Sequence, residues 1–117
     1  MKIIITATLF IHADKRGVLL KELTPDILKV RNQTGCVRYE WAADGADKTQ
    51  INVLEEWEDA AAVDGHFAGD NFAKIVGIIG THDIISMSAR KYGISKEAPV
   101  FNAQGKPSSS FLSLIHI

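Results

Sequence analysis

One cysteine, Cys36, stands in a chain of 117 residues. An internal disulfide framework is therefore excluded, and a reducing, cytoplasmic setting is expected. Long apolar runs are also missing. None approaches the roughly 20 residues a helix needs to cross a bilayer. Charge of one sign is not in excess: 13 basic residues face 14 acidic ones, for a net charge of −1. With no basic run, nothing predicts binding to a nucleic-acid backbone. Several chemical signatures are absent too. There is no Gly-rich nucleotide loop, no Cys-x-x-Cys or His-Glu-x-x-His, and no Gly-x-Ser-x-Gly elbow. No metal and no cofactor is expected, so any chemistry must come from a pocket. Internal repeats are lacking.

What is present reads as one globular domain, with 46% apolar and 23% charged residues. The start is basic and then apolar, like a weak signal peptide, but its strand-like character runs on to Asp14-Lys15-Arg16. It is read as a first strand over 3–11, rich in Ile, Thr, Leu and Phe. Asp14 is placed to cap the helix that follows. Over 15–31, Leu20, Leu23, Ile27 and Val30 recur at helical steps. Pro25 either kinks this helix or starts a second one capped by Thr24. Gly35 ends the helical region. Asn32-Gln33-Thr34 matches a glycosylation sequon that stays idle in a cytoplasmic protein.

Residues 36–43 alternate, with Val37, Tyr39 and Trp41 on one face and Cys36, Arg38 and Glu40 on the other. Residues 49–57 alternate again, with Ile51, Val53 and Trp57 opposite Gln50, Asn52 and Glu56. The turn Asp44-Gly45-Ala46-Asp47 joins the two as an antiparallel hairpin. A short helix follows Asp59. A second follows Asp70, with Phe72, Ile75, Val76 and Ile79 on one stripe, and closes at Gly80. A last strand spans 82–92, with Ile84, Ile85, Met87 and Tyr92. The order β-α-β-β-α-α-β is α+β and ferredoxin-like: helices on one face of a four-stranded antiparallel sheet. The other face stays bare, so a homodimer with its sheets face to face is expected.

From Gly93 to Phe111 the pattern fades into an extended tail, placed to reach a partner subunit. The final stretch, Leu112-Ser113-Leu114-Ile115-His116-Ile117, matches in frame the translation of a transposon-end sequencing adapter, CTG-TCT-CTT-ATA-CAC-ATC. Those residues are read as non-native and set aside. The alternative is an apolar tail that docks on a partner.

Three groups of residues now align with a known family. They are Gly35-Cys36-Val37-Arg38-Tyr39-Glu40-Trp41, then Glu55-Glu56-Trp57-Glu58-Asp59, then Ala62 and His66 followed by Phe72. Their spacing resembles that of the antibiotic biosynthesis monooxygenase domain, over roughly residues 1–92. The resemblance implies a dimeric α/β barrel with a pocket in each subunit between sheet and helices. It also implies several possible activities: cofactor-independent oxidation of quinols or anthrones, haem degradation, or isomerisation of a phosphorylated sugar.

The candidate site follows from both lines. His66, with a pKa near neutrality, would take a phenolic proton and leave an anion able to react with O₂. The competing reading is a structural histidine tying its helix to the sheet. Asp64, two residues away, cannot share the helical face of His66. Trp57, Phe72 and Phe67 would wall a flat aromatic ligand, or simply fill the core. Tyr39 would orient the ligand through its hydroxyl, with Trp41 beside it on the same strand face. Glu55 lies on that face as well, as a raised-pKa proton acceptor, as the partner of Arg38 or Arg90, or exposed at the strand end. Cys36 is expected as a buried filler, and His12 and His82 as solvated.

Departures from relatives narrow the choice. The strand asparagine that assists oxygen chemistry in some of them falls on Val53 here, and Asn52 points to the other face. The residues matching haem ligands fall in Thr6-Ala7-Thr8 and Lys74-Ile75-Val76, so haem is disfavoured. Asn71 stands where many relatives have a second histidine, and Lys74 is the sole nearby cation for a phosphate. The expectation is a cofactor-free monooxygenase using O₂ on a hydroquinone or polycyclic phenol. The alternatives are a module that binds a small aromatic metabolite without turnover, or an isomerase of a small carbonyl compound.

Overall fold

The computed structural model describes residues 1–111. The adapter-like residues 112–117 lie outside them. Seven elements follow one another: β1 (Lys2–Ile11), α1 (Ala13–Val30), β2 (Cys36–Ala43), β3 (Gln50–Trp57), α2 (Ala60–Ala68), α3 (Asp70–Gly80) and β4 (Ile84–Ile94). The strands form one antiparallel sheet in the order β2-β3-β1-β4. This is the ferredoxin-like α+β arrangement read from the sequence.

Alternation on β1 and β3 turns Ile5, Leu9, Ile51, Val53 and Trp57 toward the helices, where they join Leu19, Leu23, Ile27 and Val30 of α1 in a single core. Helix α1 is continuous: Pro25 lies inside it, so no second helix starts at Thr24. Proline deletes one backbone donor, and just before it the Thr24 hydroxyl donates to the Leu20 carbonyl at 2.8 Å. His12 occupies the N-cap position and makes no side-chain cap. Asp14, expected there, falls in the first turn instead. The buried stripe carries Leu19 rather than Leu20, and it includes Asp26.

The hairpin β2–β3 has the expected turn. Asp44 Oδ2 accepts from the backbone N–H groups of Ala46 and Asp47, and Asp44 Oδ1 accepts from Asn52 Nδ2. One face assignment changes. A bulge between Cys36 and Arg38 slips the register, so Cys36 sits opposite Trp57 against the core while Val37 is exposed. Tyr39 and Trp41 keep their predicted face. On α3 the buried residue is Ile75, and Val76 faces out because α3 packs on α1 rather than across the sheet.

Strand β4 starts later than expected and runs two residues beyond 92. It is an edge strand of the sheet, and its Ile85, Met87 and Tyr92 are exposed. His82 is half-buried, with Nε2 at 3.2 Å from Glu22 Oε1, rather than solvated. The segment after Ile94 contains a small turn in which Phe101 bridges Pro107 and Gly105 takes a positive φ of 76°. Phe111 returns to a hollow shared with Lys2, Ile4 and Glu56. The sheet face away from the helices carries Ile4, Thr6, Thr8, Phe10, Asn52, Leu54 and Glu56, covered by no helix.

Candidate active site

Helix α2 positions the central histidine. Asp59 caps it by accepting from the Ala62 N–H at 2.8 Å. This fixes where the helix begins and turns Val63 and His66 inward as its buried residues. Gly35 meets Ala62 from the preceding loop, and its carbonyl accepts the Glu58 N–H at 2.9 Å. Helix α3 starts directly after Gly69, which brings Phe72 back over the same spot.

His66 is 2% exposed and sits among four rings. Trp57 lies 4.8 Å away between centroids, Phe72 5.3 Å, Tyr39 5.5 Å and Phe67 5.7 Å. Phe67 and Phe72 also touch each other, at 5.0 Å. Trp57 is fully buried, whereas Phe67 is 47% exposed and forms the rim. The fold therefore brings five of the predicted residues into one cluster. Glu55 joins through Trp57, whose indole N–H donates to Glu55 Oε1 at 2.9 Å. Neither predicted arginine pairs with it: Arg38 meets Glu40 at 3.7 Å, and Arg90 stands opposite Thr6. Trp41 lies on the same strand face, half-buried, and its buried Nε1 has no hydrogen-bond partner among the described residues.

Burial sets the electrostatics. It lowers the His66 pKa to about 4, so the imidazole is neutral at physiological pH. The near-neutral value expected from the sequence is corrected on this point: the rings that surround the imidazole exclude the water that would stabilise its cation. Burial likewise pushes up the Tyr39 phenol, the Glu55 carboxyl and the Cys36 thiol. Tyr39 stays protonated and can donate.

His66 Nδ1 lies 2.9 Å from Gln33 Oε1. Gln33 is held by its own backbone, donating to the Val30 carbonyl and accepting from the Cys36 N–H. Its Nε2 donates to Asn71 Oδ1 at 3.4 Å, and Asn71 Nδ2 donates to Asp26 Oδ1 at 3.2 Å. Asp26 is 1% exposed, with Lys74 Nζ at 4.0 Å. Beside this chain opens a cleft of about 550 Å³, lined by Gln33, Gly35, Glu58, Ala62, Gly65 and His66 among others. Of the predicted site residues, His66 is the one on its wall.

Gln33 and Asp26 were not singled out from the sequence. Asp26 did carry a signal. A carboxylate on the apolar stripe of α1 is as unusual as Glu55 on its strand face. Gln33 sits in a turn and carried none. Among the described residues, no group of three or more His, Cys, Asp or Glu side chains is placed to hold a metal ion. No helix among them is long and apolar enough to cross a membrane.

Fold and site together define a small single-sheet α+β protein with a buried histidine inside an aromatic cluster. The sequence profile of the antibiotic biosynthesis monooxygenase family matches residues 2–77, and the chain belongs to that family. Solved structures agree on the fold. A Deinococcus radiodurans protein, provisionally described as an antibiotic biosynthesis monooxygenase, has a TM-score of 0.78 at 17% identity, over 86% of this chain and 99% of its own. Rv0793 from Mycobacterium tuberculosis has a TM-score of 0.74 at 19% identity, over 85% and 100%. A further structure, described as an antibiotic biosynthesis monooxygenase, has a TM-score of 0.69 at 25% identity, over 79% and 97%. Among curated proteins, none matches this sequence.

Proposed function

We propose that this protein is a cofactor-independent monooxygenase that oxidises a hydroquinone or polycyclic phenol with O₂. The observation that carries the reading is the neutral His66 walled by Trp57, Tyr39, Phe72 and Phe67. A phenol entering the cleft between Gln33, Gly65 and Ala62 meets His66 on its wall, with Trp57 and Phe72 packed behind the imidazole and holding it in place. The Tyr39 hydroxyl, which stays protonated, offers a donor to the phenol's oxygens. Glu55 stays bonded to Trp57 and holds that wall in place.

The basicity of His66 constrains the step. A phenol near pKa 10 facing an imidazole at about 4 makes full proton transfer uphill by roughly 8 kcal/mol. The proton therefore moves to His66 as an electron leaves for O₂, because the oxidised phenol is far more acidic. Overall the substrate loses two hydrogens and gains one oxygen atom, and the second oxygen leaves with those hydrogens as water. The atoms and electrons balance without a further reductant.

The reading is tested by oxygen uptake with hydroquinones and anthrones, with chelator present and no flavin, metal or haem added. Uptake above the autoxidation blank is expected, falling about 10²–10⁴-fold in His66→Ala. Undiminished turnover in that variant overturns the role of His66. The same low basicity favours a second reading, a module that binds a small aromatic metabolite without turnover. It predicts saturable quenching of tryptophan fluorescence and no oxygen uptake. In either case the bare sheet face, with Ile4, Phe10 and Leu54 uncovered by any helix, supports pairing with a second copy of the chain.

A further inference from the structure

We propose that Asp26, acting through Asn71 and Gln33, is a positioning residue that fixes His66 in one tautomer, with the proton on Nδ1 and the lone pair of Nε2 left for the substrate. This rests on the reading of His66 as the group that meets the substrate.

The argument is one of direction. An ionised carboxylate only accepts hydrogen bonds, whereas each side-chain amide has one accepting and one donating end. Asp26 Oδ1 therefore requires the Asn71 NH₂ group, which turns the Asn71 oxygen toward Gln33. That oxygen in turn requires the Gln33 NH₂ group, which turns the Gln33 oxygen toward His66. An oxygen at 2.9 Å from Nδ1 requires Nδ1 to carry the proton. The orientation starts at Asp26, the acceptor-only end, and each link inherits it. Nε2 makes no hydrogen bond to any described residue, so it remains the open acceptor of the ring.

The groups around the relay support it. Asp26 is nearly sealed from solvent on the inner stripe of α1, and Lys74 lies at 4.0 Å from its second oxygen. Gln33 is pinned by backbone hydrogen bonds on both sides, so its amide does not swing freely. Neither middle member can change charge, and each can reverse only by rotating its amide. A reversed chain would place a donor against Nδ1 and move the histidine proton to Nε2. Asp26 forbids that reversal.

The experiment reads the tautomer directly, by nitrogen NMR of the full chain with labelled histidine, at a pH where His66 is neutral. In the wild type, Nδ1 is expected to resonate as the protonated ring nitrogen and Nε2 as the bare one, in about tenfold excess. In Asp26→Asn the anchor can both donate and accept. The two nitrogen shifts are then expected to move toward each other as the excess falls to roughly twofold or less. Adding Gln33→Glu to that variant puts an acceptor-only group beside Nδ1 and, read at a pH high enough to keep the imidazole neutral beside the new carboxylate, restores the single tautomer, which lost packing would not do. Gln33→Leu, at a partly exposed site, serves if Asp26→Asn fails to fold, and it too should lose the excess.

A wild-type proton on Nε2, or an unchanged tautomer in Asp26→Asn or in Gln33→Leu, overturns the proposal. The monooxygenase reading fails separately. A tautomer that responds as expected in a protein that consumes no oxygen sinks the oxidation and leaves the relay standing.

Discussion

Gly35 offers a sharp test of how the site is held. Its φ is +78°, in the left-handed region, and a Cβ built there would come closer than 3.0 Å to Ala62 Cβ. The glycine thus does two things. It turns the chain into β2, and it lets the loop touch α2 four residues before His66. For Gly35→Ala, the left-handed conformation costs about 1–2 kcal/mol, and crowding against Ala62 adds about 1–3 kcal/mol. The stiffer unfolded chain returns about 0.4–1 kcal/mol. The net destabilisation is about 3 kcal/mol, or a fall in Tm of roughly 10 °C for a domain of this size. Urea unfolding of wild type, Gly35→Ala, Ala62→Gly and the double variant separates the two contributions. Ala62→Gly alone costs about 1 kcal/mol of helix propensity. In the double variant the clash is gone, so a favourable coupling of about 1–3 kcal/mol is expected between the sites. A Gly35→Ala protein within 0.5 kcal/mol of wild type, or zero coupling, would refute the close approach of loop and helix.

Two further outcomes follow from the structure. Between pH 6.5 and about 4 the unfolded chain binds a proton at His66 that the folded chain does not, so this contribution is fully present above pH 6.5 and is lost as the pH falls toward 4. It amounts to at most about 3 kcal/mol. Glu55, whose carboxyl is pushed up by burial, works in the opposite direction, so the contrast to measure is wild type against His66→Gln, whose stability difference should shrink across that window in urea titrations. A difference independent of pH would mean that the histidine is not buried as described. On the bare sheet face, Leu54→Lys should convert a dimer to a monomer in sedimentation velocity while leaving the circular dichroism unchanged, and a wild type that sediments as a monomer at micromolar concentration would contradict pairing through this face.

The elements were legible because their signals are local. Alternation marked the hairpin, helical spacing marked α1, and Asp59 marked the start of α2, whose side chain does cap it. The sites of failure were those where a distant contact decides. Val37 reads as an inward residue by strict alternation, but the bulge beside Cys36 reverses it. Val76 sits on the apolar stripe of α3 yet faces out, since that helix packs on α1. Ile85 and Met87 look like core by residue type, but they lie on the edge strand β4 and are exposed. For the site, the family resemblance together with residue types that favour stacking and proton exchange pointed to His66, Trp57, Tyr39, Phe72 and Phe67, which the fold places side by side. Spacing could not supply the degree of burial, and burial is what lowers the basicity of His66.

That low basicity changes what the protein has to control. An imidazole that stays neutral through the physiological range offers one variable, namely which nitrogen holds the proton. A charged partner against the ring would settle the tautomer, but it would also raise the pKa and draw a cation into the aromatic cluster. Two amides between Asp26 and His66 carry the directional information of the carboxylate while keeping its charge two side chains away. The residue at position 71 is then constrained by more than size. A histidine there could switch its own tautomer and reverse the chain, whereas Asn71 can reverse only by turning its NH₂ away from Asp26. The relay proposal thus makes the departure at Asn71 part of how His66 is set rather than the loss of a second base.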